Sequence, residues 1–558
     1  MFRTCAQSTA AQSMLQKYAC TWIPVLALAL AVAALYGQFL WNPILFDDMY
    51  FFMLDNAGNQ PISNYHYALF ELRSLPYATL AWTKAWFGLD LINFRVGNLL
   101  LHAAAVLALF FFLAKLFAVV CDEHNQAGLS PRLAAFFAAL LFALHPVATY
   151  ATGYLVQRTI VMATLFALLS MLAYVHGSVR HKPLWLWMSV PFYFMAVFSK
   201  EHSIMLPFAL LALTMLLHDD WRAKLKQRWV IFVALAAIEL LVLLISRGLL
   251  GSVYEIYAPE MLRQNESELA YPRSVITQSW LFFKYAVLWL LPNPAWMSID
   301  IREPFVRSLL SPYLIAAVCF VAWGMGAFWL LLKRGRMGLA GFALLFPWLM
   351  FFTEFSTVRI QEIFVLYRSY LWAVGAFCLL PVIFTKVNVR VASITLAIIA
   401  LAMFAVSMER LMTFSHPVLL WDDAEKLVKG RTDLPGAYRI YYNRGTELIK
   451  IDQPGQAIAD LKQAVALNRN FVEAHGNLGG AYFKKGDWQN AVASFSNAIE
   501  IAHSTSKYLN PRYVYGRAQA YENMGDIPKA QADYKESCRL FNKGCEKLPG
   551  KNFSKENL

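Results

Sequence analysis

Residues 21–48 read TWIPVLALALAVAALYGQFLWNPILFDD, an apolar run that ends in two adjacent aspartates. About 20 apolar residues are enough to cross a bilayer as a helix. The run has no small-residue cleavage site, and the basic residues Arg3 and Lys17 precede it. We therefore predict a retained membrane anchor whose N-terminus lies in the cytoplasm.

The same apolar character extends over most of the chain. Of its 558 residues, 58% are hydrophobic and 15% are charged, whereas about a quarter of the residues in soluble domains are charged. We therefore predict an all-α, polytopic membrane domain over residues 1–407, with about eleven spans. After the first, near 21–41, they lie near 94–119, 133–148, 157–176, 184–198, 203–217, 229–250, 311–332, 338–352, 363–384 and 391–407.

Basic residues between the spans predict the orientation of this domain. Cytoplasmic loops collect Lys and Arg, which accounts for the net charge of +13 without a nucleic-acid partner. The segment Val275–Leu291 could span the membrane or lie as a re-entrant or interfacial helix. If it does not cross, the later basic loops, at residues 333–336 and 386–390, lie on the same side of the membrane as Arg3. The number of spans is then odd, and the C-terminal domain lies outside the cytoplasm.

The first outer loop, residues 42–93, carries Asp47 and Asp48 directly after an apolar helix. Adjacent carboxylates at a membrane interface are costly unless they are solvated, paired or used. One could act as a general base toward an acceptor hydroxyl, while its neighbour holds the acceptor, a donor group or a divalent cation such as Mg or Mn. The alternative is a solvated loop or a helix cap.

Basic side chains recur on the outer side, where few are expected. Arg forks onto phosphate and Lys supplies a point charge, so an anionic ligand would explain them. Snorkelling or internally paired side chains are the alternative. The candidate residues for binding a donor phosphate are Arg73, Arg158, Lys200 and Arg368. Supporting polar residues on the same side are His145, Glu201, His202, Glu362 and Tyr367.

The C-terminal part of the chain is polar and repetitive. Asn443 recurs as Asn477, and three small residues near it recur at the same offset of 34 residues, the period of the tetratricopeptide repeat. A third copy follows a short insertion. We predict a connector over residues 408–436 and a repeat solenoid over 437–558. Such arrays usually bind extended peptides, which suggests a protein partner; a structural cap is the alternative.

Cys538 and Cys545 lie seven residues apart within the predicted solenoid. On one straight helix they would be about 10 Å apart, too far to bond. A helix break at Asn542-Lys543-Gly544 would bring them together, and a disulfide would indicate an oxidising compartment. Two unrelated thiols fit the sequence equally well.

Short motifs in a fixed order carry a resemblance to a known lineage. After FDD at 46–48 come RSLPY at 73–77, FGLDLINFRVGNLLLH at 87–102, ALLFALHPVATYATGYLVQR at 139–158, SKEH at 199–202, FVLYRSYL at 364–371 and LLWDDA at 419–424. Their order and the domain layout resemble those of the transmembrane and tetratricopeptide-repeat-containing O-mannosyltransferases and their bacterial relatives, within the type C (GT-C) glycosyltransferase superfamily.

The resemblance implies a membrane glycosyltransferase with its active site at the outer face. There a polyprenyl-phosphate or polyprenyl-diphosphate sugar donor meets a hydroxyl acceptor, with Ser or Thr of a protein as the favoured acceptor. In that family an acidic residue of the first outer loop is catalytic, which implies Asp47 or Asp48 as the base of an inverting displacement. The family positions that line the site are matched by Arg158, Lys200, Glu201 and Arg368.

Other readings stay open. The same scaffold could act on a lipid or an envelope-glycan acceptor, or could transfer a preassembled oligosaccharide. A non-enzymatic membrane scaffold or transporter could use the repeats to recruit partners, although a transporter would be expected to show polar or broken positions at mid-membrane depth. The expected location is a bacterial inner membrane with periplasmic repeats, or the endoplasmic reticulum membrane with luminal repeats.

Overall fold

The computed structural model describes residues 12–53, 61–121, 128–253, 255, 269–505 and 507–548, without the side chains of residues 12–21. The predicted all-α class is confirmed, since the β-pairing among these residues is one isolated bridge between Ile301 and Phe364. The chain divides into two compact units, Met1–His416 and Pro417–Leu558. Their boundary falls inside the range predicted as a connector.

The first unit is a bundle of apolar helices. In chain order they are α1 Gln12–Tyr36, α2 Asp48–Phe52, α3 Ser74–Phe87, α4 Leu91–Val120, α5 Pro131–Ala143, α6 Thr149–Thr152, α7 Arg158–Arg180, α8 Pro183–Ser199, α9 Leu206–Leu217, α10 Trp221–Gln227, α11 Trp229–Ser246, α12 Ala270–Leu290, α13 Tyr313–Leu332, α14 Gly335–Phe351, α15 Ser369–Ala376, α16 Leu380–Ile383 and α17 Val389–Thr413.

Helix starts follow from local sequence. The Asp90 side chain caps α4 by accepting a hydrogen bond from Ile92 N at 3.1 Å, and Ser130 caps α5, where Pro131 occupies the first turn. Both devices satisfy or remove backbone N–H groups that a helix N-terminus leaves without partners.

Fewer helices meet the length and hydropathy expected of a membrane span than the sequence suggested. Within the described residues, eight do so, or nine if α5 and its bent continuation through α6 count as one span. The predicted number of eleven is therefore not confirmed. The difference lies in α8 and α9, which have 17 and 12 residues and are about 25 and 18 Å long.

These two shorter helices still run between the two ends of the first unit. Lys200, which follows α8, hydrogen-bonds Gln157 just before α7, whereas Arg228, which follows α10, hydrogen-bonds Ser178 near the end of α7. Helix α8 runs from the Ser178 end of the unit to the Gln157 end, and α9 runs back. Together they leave the orientation of every later helix unchanged.

Helix α12, which contains the ambiguous segment 275–291, begins and ends at one end of the unit. Near its start, Ser274 Oγ accepts a hydrogen bond from Arg359 N at 3.0 Å. Near its finish, Trp289 Nε1 donates to Ser369 Oγ at 2.9 Å. Arg359 lies in the turn region between α14 and α15, and Ser369 is the first residue of α15. This arrangement agrees with the alternative in which the segment does not cross the membrane.

Among the described residues, the second unit consists of one helix followed by three helix pairs. Its helices are α18 Pro417–Val428, α19 Tyr438–Lys450, α20 Pro454–Leu467, α21 Val472–Lys485, α22 Trp488–Ser504, α23 Pro511–Asn523 and α24 Ile527–Phe541. The recurring small residues allow close packing: a Cβ atom added at Gly479 would lie 2.7 Å from the Phe495 ring. Glycine is therefore required where α21 meets α22.

An Arg–Asp pair joins the two helices of the first and third repeats. Arg444 makes two hydrogen bonds of 2.7 Å to Asp460, and Arg517 bonds Asp533 in the same way at 2.7 and 2.8 Å. In the middle repeat, the positions 34 residues after Arg444 and Asp460 hold Leu478 and Ser494. Both members of the pair are thus replaced together.

The last helix ends in a turn that folds back on the solenoid. Cys538 in α24 is disulfide-bonded to Cys545, with Cα atoms 4.9 Å apart. Asn542 and Gly544 take positive φ angles of 52° and 81°, which reverse the chain as the predicted helix break requires. Leu548 then packs against the buried cluster formed by Ala518, Ala530 and Tyr534. The turn therefore covers apolar surface that a further repeat would otherwise bury.

Candidate functional site

Most of the predicted site residues meet at one end of the first unit, which we call the outer end. It comprises the turns around residues 42–48, 153–159, 199–203 and 353–368. The opposite end carries the basic joints, including the Arg222 to Arg228 cluster. The contacts below show which predicted residues lie close together.

Asp47 and Asp48 point in different directions. Asp48 is 1% exposed, and its carboxylate accepts hydrogen bonds from Leu155 N at 3.1 Å and Val156 N at 2.8 Å. Burial raises the pKa of Asp48 to about 7, while these N–H groups and the Arg95 charge act to lower it. Both oxygens of Asp48 therefore hold the start of the 155–157 turn in place.

Asp47 is exposed and lies next to aromatic hydroxyl groups. Its backbone N–H donates to Tyr154 Oη at 2.9 Å, and the same hydroxyl also interacts with the Asp47 carboxylate. Burial raises the pKa of Tyr77, and the charges of Glu201 and Asp47 raise it further, against Arg73. Asp47 thus lies near the basic side chains and remains accessible to a substrate.

The sequence does not distinguish these two aspartates because they are neighbours. The distinction comes from Phe46, whose φ of 54° is in the left-handed region, and from the start of α2 at Asp48. This turn directs one carboxylate into the bundle and leaves the other at the surface.

Lys200 is a buried cation without a carboxylate partner at ion-pair distance among the described residues. Its Nζ donates to Gln157 Oε1 at 2.8 Å and to Thr159 Oγ1 at 3.4 Å, and it lies 4.7 Å from the centre of the Tyr367 ring. The side chain is 5% exposed. Tyr367 in turn contacts Tyr154, with ring centres 6.2 Å apart. Lys200 is therefore connected to the Asp47 region through two aromatic rings.

Arg73 and Glu201 form a two-point ion pair at the surface of the outer end. Arg73 Nε donates to Glu201 Oε2 at 3.0 Å, and its Nη2 donates to the other carboxylate oxygen. The Arg73 backbone has a φ of 64°, and its N–H donates to Phe198 O at 2.7 Å. A left-handed arginine costs about 1 kcal/mol or more. The surrounding contacts therefore hold this side chain against backbone strain.

His202, Glu354, Arg368 and Glu362 form a connected row of charges. His202 Nε2 lies 3.1 Å from Glu354 Oε1, and Arg368 Nη1 donates to Glu354 Oε2 at 3.0 Å. Arg368 Nη2 also donates to Glu362 Oε2 at 2.8 Å. Since both terminal nitrogens of Arg368 are occupied by carboxylates, this residue orients the row and has little charge left for a ligand.

Arg158 and His145 take up structural positions. Arg158 is 2% exposed and donates to Asn98 Oδ1, Thr79 Oγ1 and Phe94 O, at 2.7, 3.2 and 2.9 Å. It therefore joins α3, α4 and α7 instead of facing an open surface. His145 is fully buried; its Nδ1 accepts from Val147 N at 3.2 Å and its Nε2 lies 3.0 Å from Trp289 O. It caps the turn after α5.

The residues proposed for a divalent cation do not fit one. Both carboxylate oxygens of Asp48 are held by backbone N–H groups, which leaves Asp47 as a single acidic ligand. Among the residues that the structure describes, no group of three or more His, Cys, Asp or Glu side chains is arranged to hold a metal ion.

A cavity of about 500 Å³ opens beside the ion pair of Arg73 and Glu201. One wall is the face of α11 that carries Glu239, Val242, Leu243 and Ser246, continued by Leu249 and Leu250. The other end is polar and is lined by Arg73, Glu201, His202, Thr357 and Arg359. The cavity therefore combines apolar side chains with charged and hydrogen-bonding groups, within the size range of ligand sites.

Several side chains at this site were not identified from the sequence. Tyr154 and Gln157 lie within the quoted stretch 139–158, and Thr357 lies three residues after Glu354, in the turn region that follows α14. Each is a polar residue next to a helix end at the outer side. The same sequence feature predicts Arg158 and Arg368 as site residues. Partners distant in sequence decide which of these residues face the site.

Two family models match parts of the second unit. A TPR repeat family model matches residues 453–486, and a tetratricopeptide repeat model matches residues 472–504 and 511–543. The chain is 32% identical over 152 residues to Protein O-mannosyl-transferase tmtc2 of Xenopus laevis, covering 26% of this chain and 15% of that protein. The crystal structure of MamA protein aligns with 26% of this chain and 75% of its own length, at 23% identity and a TM-score of 0.21. The predicted tetratricopeptide repeats are confirmed by the family matches.

Proposed function

We propose that this chain is a membrane glycosyltransferase that moves a sugar from a polyprenyl-phosphate-linked donor to a hydroxyl acceptor. The cavity is the observation that carries the proposal. The apolar side chains of Val242, Leu243, Leu249 and Leu250 suit a prenyl chain, and the polar end, with Arg73 and Arg359, suits a phosphate. A lipid-linked sugar phosphate has both parts in this order.

The base in this proposal is Asp47 and not Asp48, because the oxygens of Asp48 are already hydrogen-bonded in the interior. The acceptor oxygen attacks the anomeric carbon while the bond from that carbon to the phosphate oxygen breaks. The acceptor proton passes to Asp47, and the lipid phosphate leaves with the bonding electrons. Arg73 and Lys200 stabilise the charge that develops on the phosphate. Arg158 and His145 have no role in this step.

Ser or Thr of a protein is the proposed acceptor. Tetratricopeptide repeats commonly bind extended peptides, and the partial similarity to an O-mannosyltransferase points to the same class of acceptor. The chain leaves the first unit after α17, whose end lies at the outer end: Leu411 O accepts a hydrogen bond from Asn42 Nδ2 at 3.3 Å. The chain therefore leaves the first unit at the end where the proposed chemistry takes place.

The outer end is proposed to face the periplasm or the lumen of an organelle. The basic joints lie at the opposite end, as expected of the cytoplasmic side. The disulfide between Cys538 and Cys545 is typical of an oxidising compartment and supports a location of the second unit outside the cytoplasm.

The test is transfer by the single variants Asp47→Asn and Glu71→Gln in isolated membranes, with a lipid-linked sugar donor. Asp47→Asn removes the proposed base and should lower the transfer rate about a hundredfold or more. Glu71→Gln neutralises another exposed acid of the same loop and should leave the rate near wild type. Full activity of Asp47→Asn would remove the base assignment.

A further inference from the structure

Two buried polar atoms that border the cavity have no hydrogen-bond partner among the described residues. They are His202 Nδ1 and Thr357 Oγ1. Their residues are 3% and 5% exposed, and both line the cavity. The Glu201 carboxylate is 3.9 Å from His202 Nδ1, beyond hydrogen-bond distance. An unsatisfied buried polar atom costs about 1–3 kcal/mol, so atoms of this kind at a cavity indicate a ligand or an ordered water.

The neighbours of His202 determine what Nδ1 can bind. Its Nε2 lies 3.1 Å from Glu354, whose carboxylate is also 3.0 Å from Arg368 and 3.7 Å from Arg359. A carboxylate between two guanidinium groups only accepts hydrogen bonds, so Nε2 carries the proton. Burial lowers the pKa of His202, although Glu354 opposes this effect. The imidazole is therefore neutral at pH 7, and Nδ1 presents a lone pair to the cavity.

A lone pair selects a ligand that donates a hydrogen bond. The oxygens of an ionised phosphate only accept, so His202 Nδ1 does not suit them, whereas a sugar hydroxyl can donate. We propose that His202 and Thr357 form a sugar-binding subsite, in which Nδ1 accepts a hydrogen bond from a hydroxyl of the donor's glycosyl group. Thr357 Oγ1 bonds a second polar group of the same glycosyl lipid. This inference rests on the proposed function, and it divides the polar end of the cavity into phosphate-binding arginines and sugar-binding neutral groups.

Matched variants separate the two ring nitrogens. In His202→Gln, the amide reaches the position of Nε2, keeps the bond to Glu354 and leaves nothing at Nδ1. In His202→Asn, the shorter amide takes the place of Nδ1 and gives up Glu354. Thr357→Val removes a hydroxyl while keeping the shape of the side chain. The melting temperature of each variant reports whether the fold is kept.

The experiment measures binding to the full-length chain in lipid nanodiscs. The probes are polyprenyl phosphates carrying mannose, glucose or N-acetylglucosamine, and sugar-free polyprenyl phosphate. We expect His202→Gln and Thr357→Val to bind the preferred glycosyl lipid about five- to tenfold more weakly than wild type, as for one lost hydrogen bond. Both should bind the sugar-free lipid as wild type does, and His202→Asn should retain more affinity for the glycosyl lipid than His202→Gln.

Two results would overturn the subsite. Equal weakening for the glycosylated and sugar-free lipids would assign the residues to the phosphate. Unchanged affinity for both would mean that the two atoms bind ordered water only. Failure of the proposed function appears differently, as a wild-type chain that binds none of the four lipids.

Discussion

Asp48 connects two parts of the chain that are 107 residues apart through a single carboxylate. In Asp48→Asn, one carbonyl oxygen remains for two buried N–H donors, so one donor is left unsatisfied at a cost of about 1–3 kcal/mol. We expect this variant to lower the melting temperature of the detergent-solubilised chain by several degrees. Asp90→Asn is the matched control, because asparagine also caps a helix. A melting temperature unchanged from wild type would contradict the structural role of Asp48.

Lys200 should give the proposed transfer reaction a characteristic pH dependence. Burial lowers the pKa of its ammonium group to about 7; the charges of Arg73 and Arg368 act in the same direction, and those of Glu201 and Glu362 oppose it. A lysine with this pKa loses its positive charge as the pH rises. If that charge stabilises the leaving phosphate, kcat/KM for the donor should fall between about pH 6 and pH 8.

The Lys200→Met variant tests this explanation. It carries no charge at any pH, so its kcat/KM should be lower than that of wild type at pH 6 and should lack the decline toward pH 8. A variant that kept the wild-type profile would assign the pH dependence to another group.

At the level of single elements, the turn after α24 should protect the end of the solenoid. The disulfide closes a loop of seven residues, and loop closure of this length stabilises by about 2 kcal/mol. In the double variant Cys538→Ser, Cys545→Ser, we expect amides of α24 to exchange with deuterium faster than in wild type. Peptides from α19, far along the solenoid, should exchange at the wild-type rate and act as an internal control. Unchanged exchange in α24 would show that packing of Leu548 alone holds the turn.

The elements differ in how far the sequence predicts them. Long apolar helices such as α4 and α17 follow from hydropathy, and the repeats follow from their 34-residue period. The bounds of α8 and α9 follow as well, because the segments expected near 184–198 and 203–217 become Pro183–Ser199 and Leu206–Leu217 on either side of the turn at Lys200. The direction of α12 does not, because it depends on partners in the region after α14.

The candidate site was predictable as a region but not residue by residue. Arg158 and Arg368 both follow short turns at the outer end, and both begin apolar segments. One is surrounded by neutral acceptors and the other by two glutamates, because Asn98 and Glu354 come from different helices. Such partners follow from the packing of distant segments, which hydropathy and spacing do not encode.

At the scale of the whole molecule, the position of the site predicts its side of the membrane. Tyr50 at the outer end is 69% exposed, and the Asp219 side chain at the opposite end is 99% exposed. In a Cys319→Ser background, we expect Tyr50→Cys to react with a membrane-impermeant maleimide added from outside the cytoplasm. Asp219→Cys should react only after permeabilisation. The reverse pattern would place the site in the cytoplasm and end the proposal of an outward-facing transferase.

The left-handed backbone at Arg73 means that position 73 is subject to two opposing demands. Glycine or asparagine would adopt this conformation with little strain, but neither could replace the guanidinium beside Glu201. Folding and chemistry therefore favour different residues at one place. A chain evolved in the laboratory for expression yield alone would be expected to drift there toward glycine and to lose turnover as it became easier to produce.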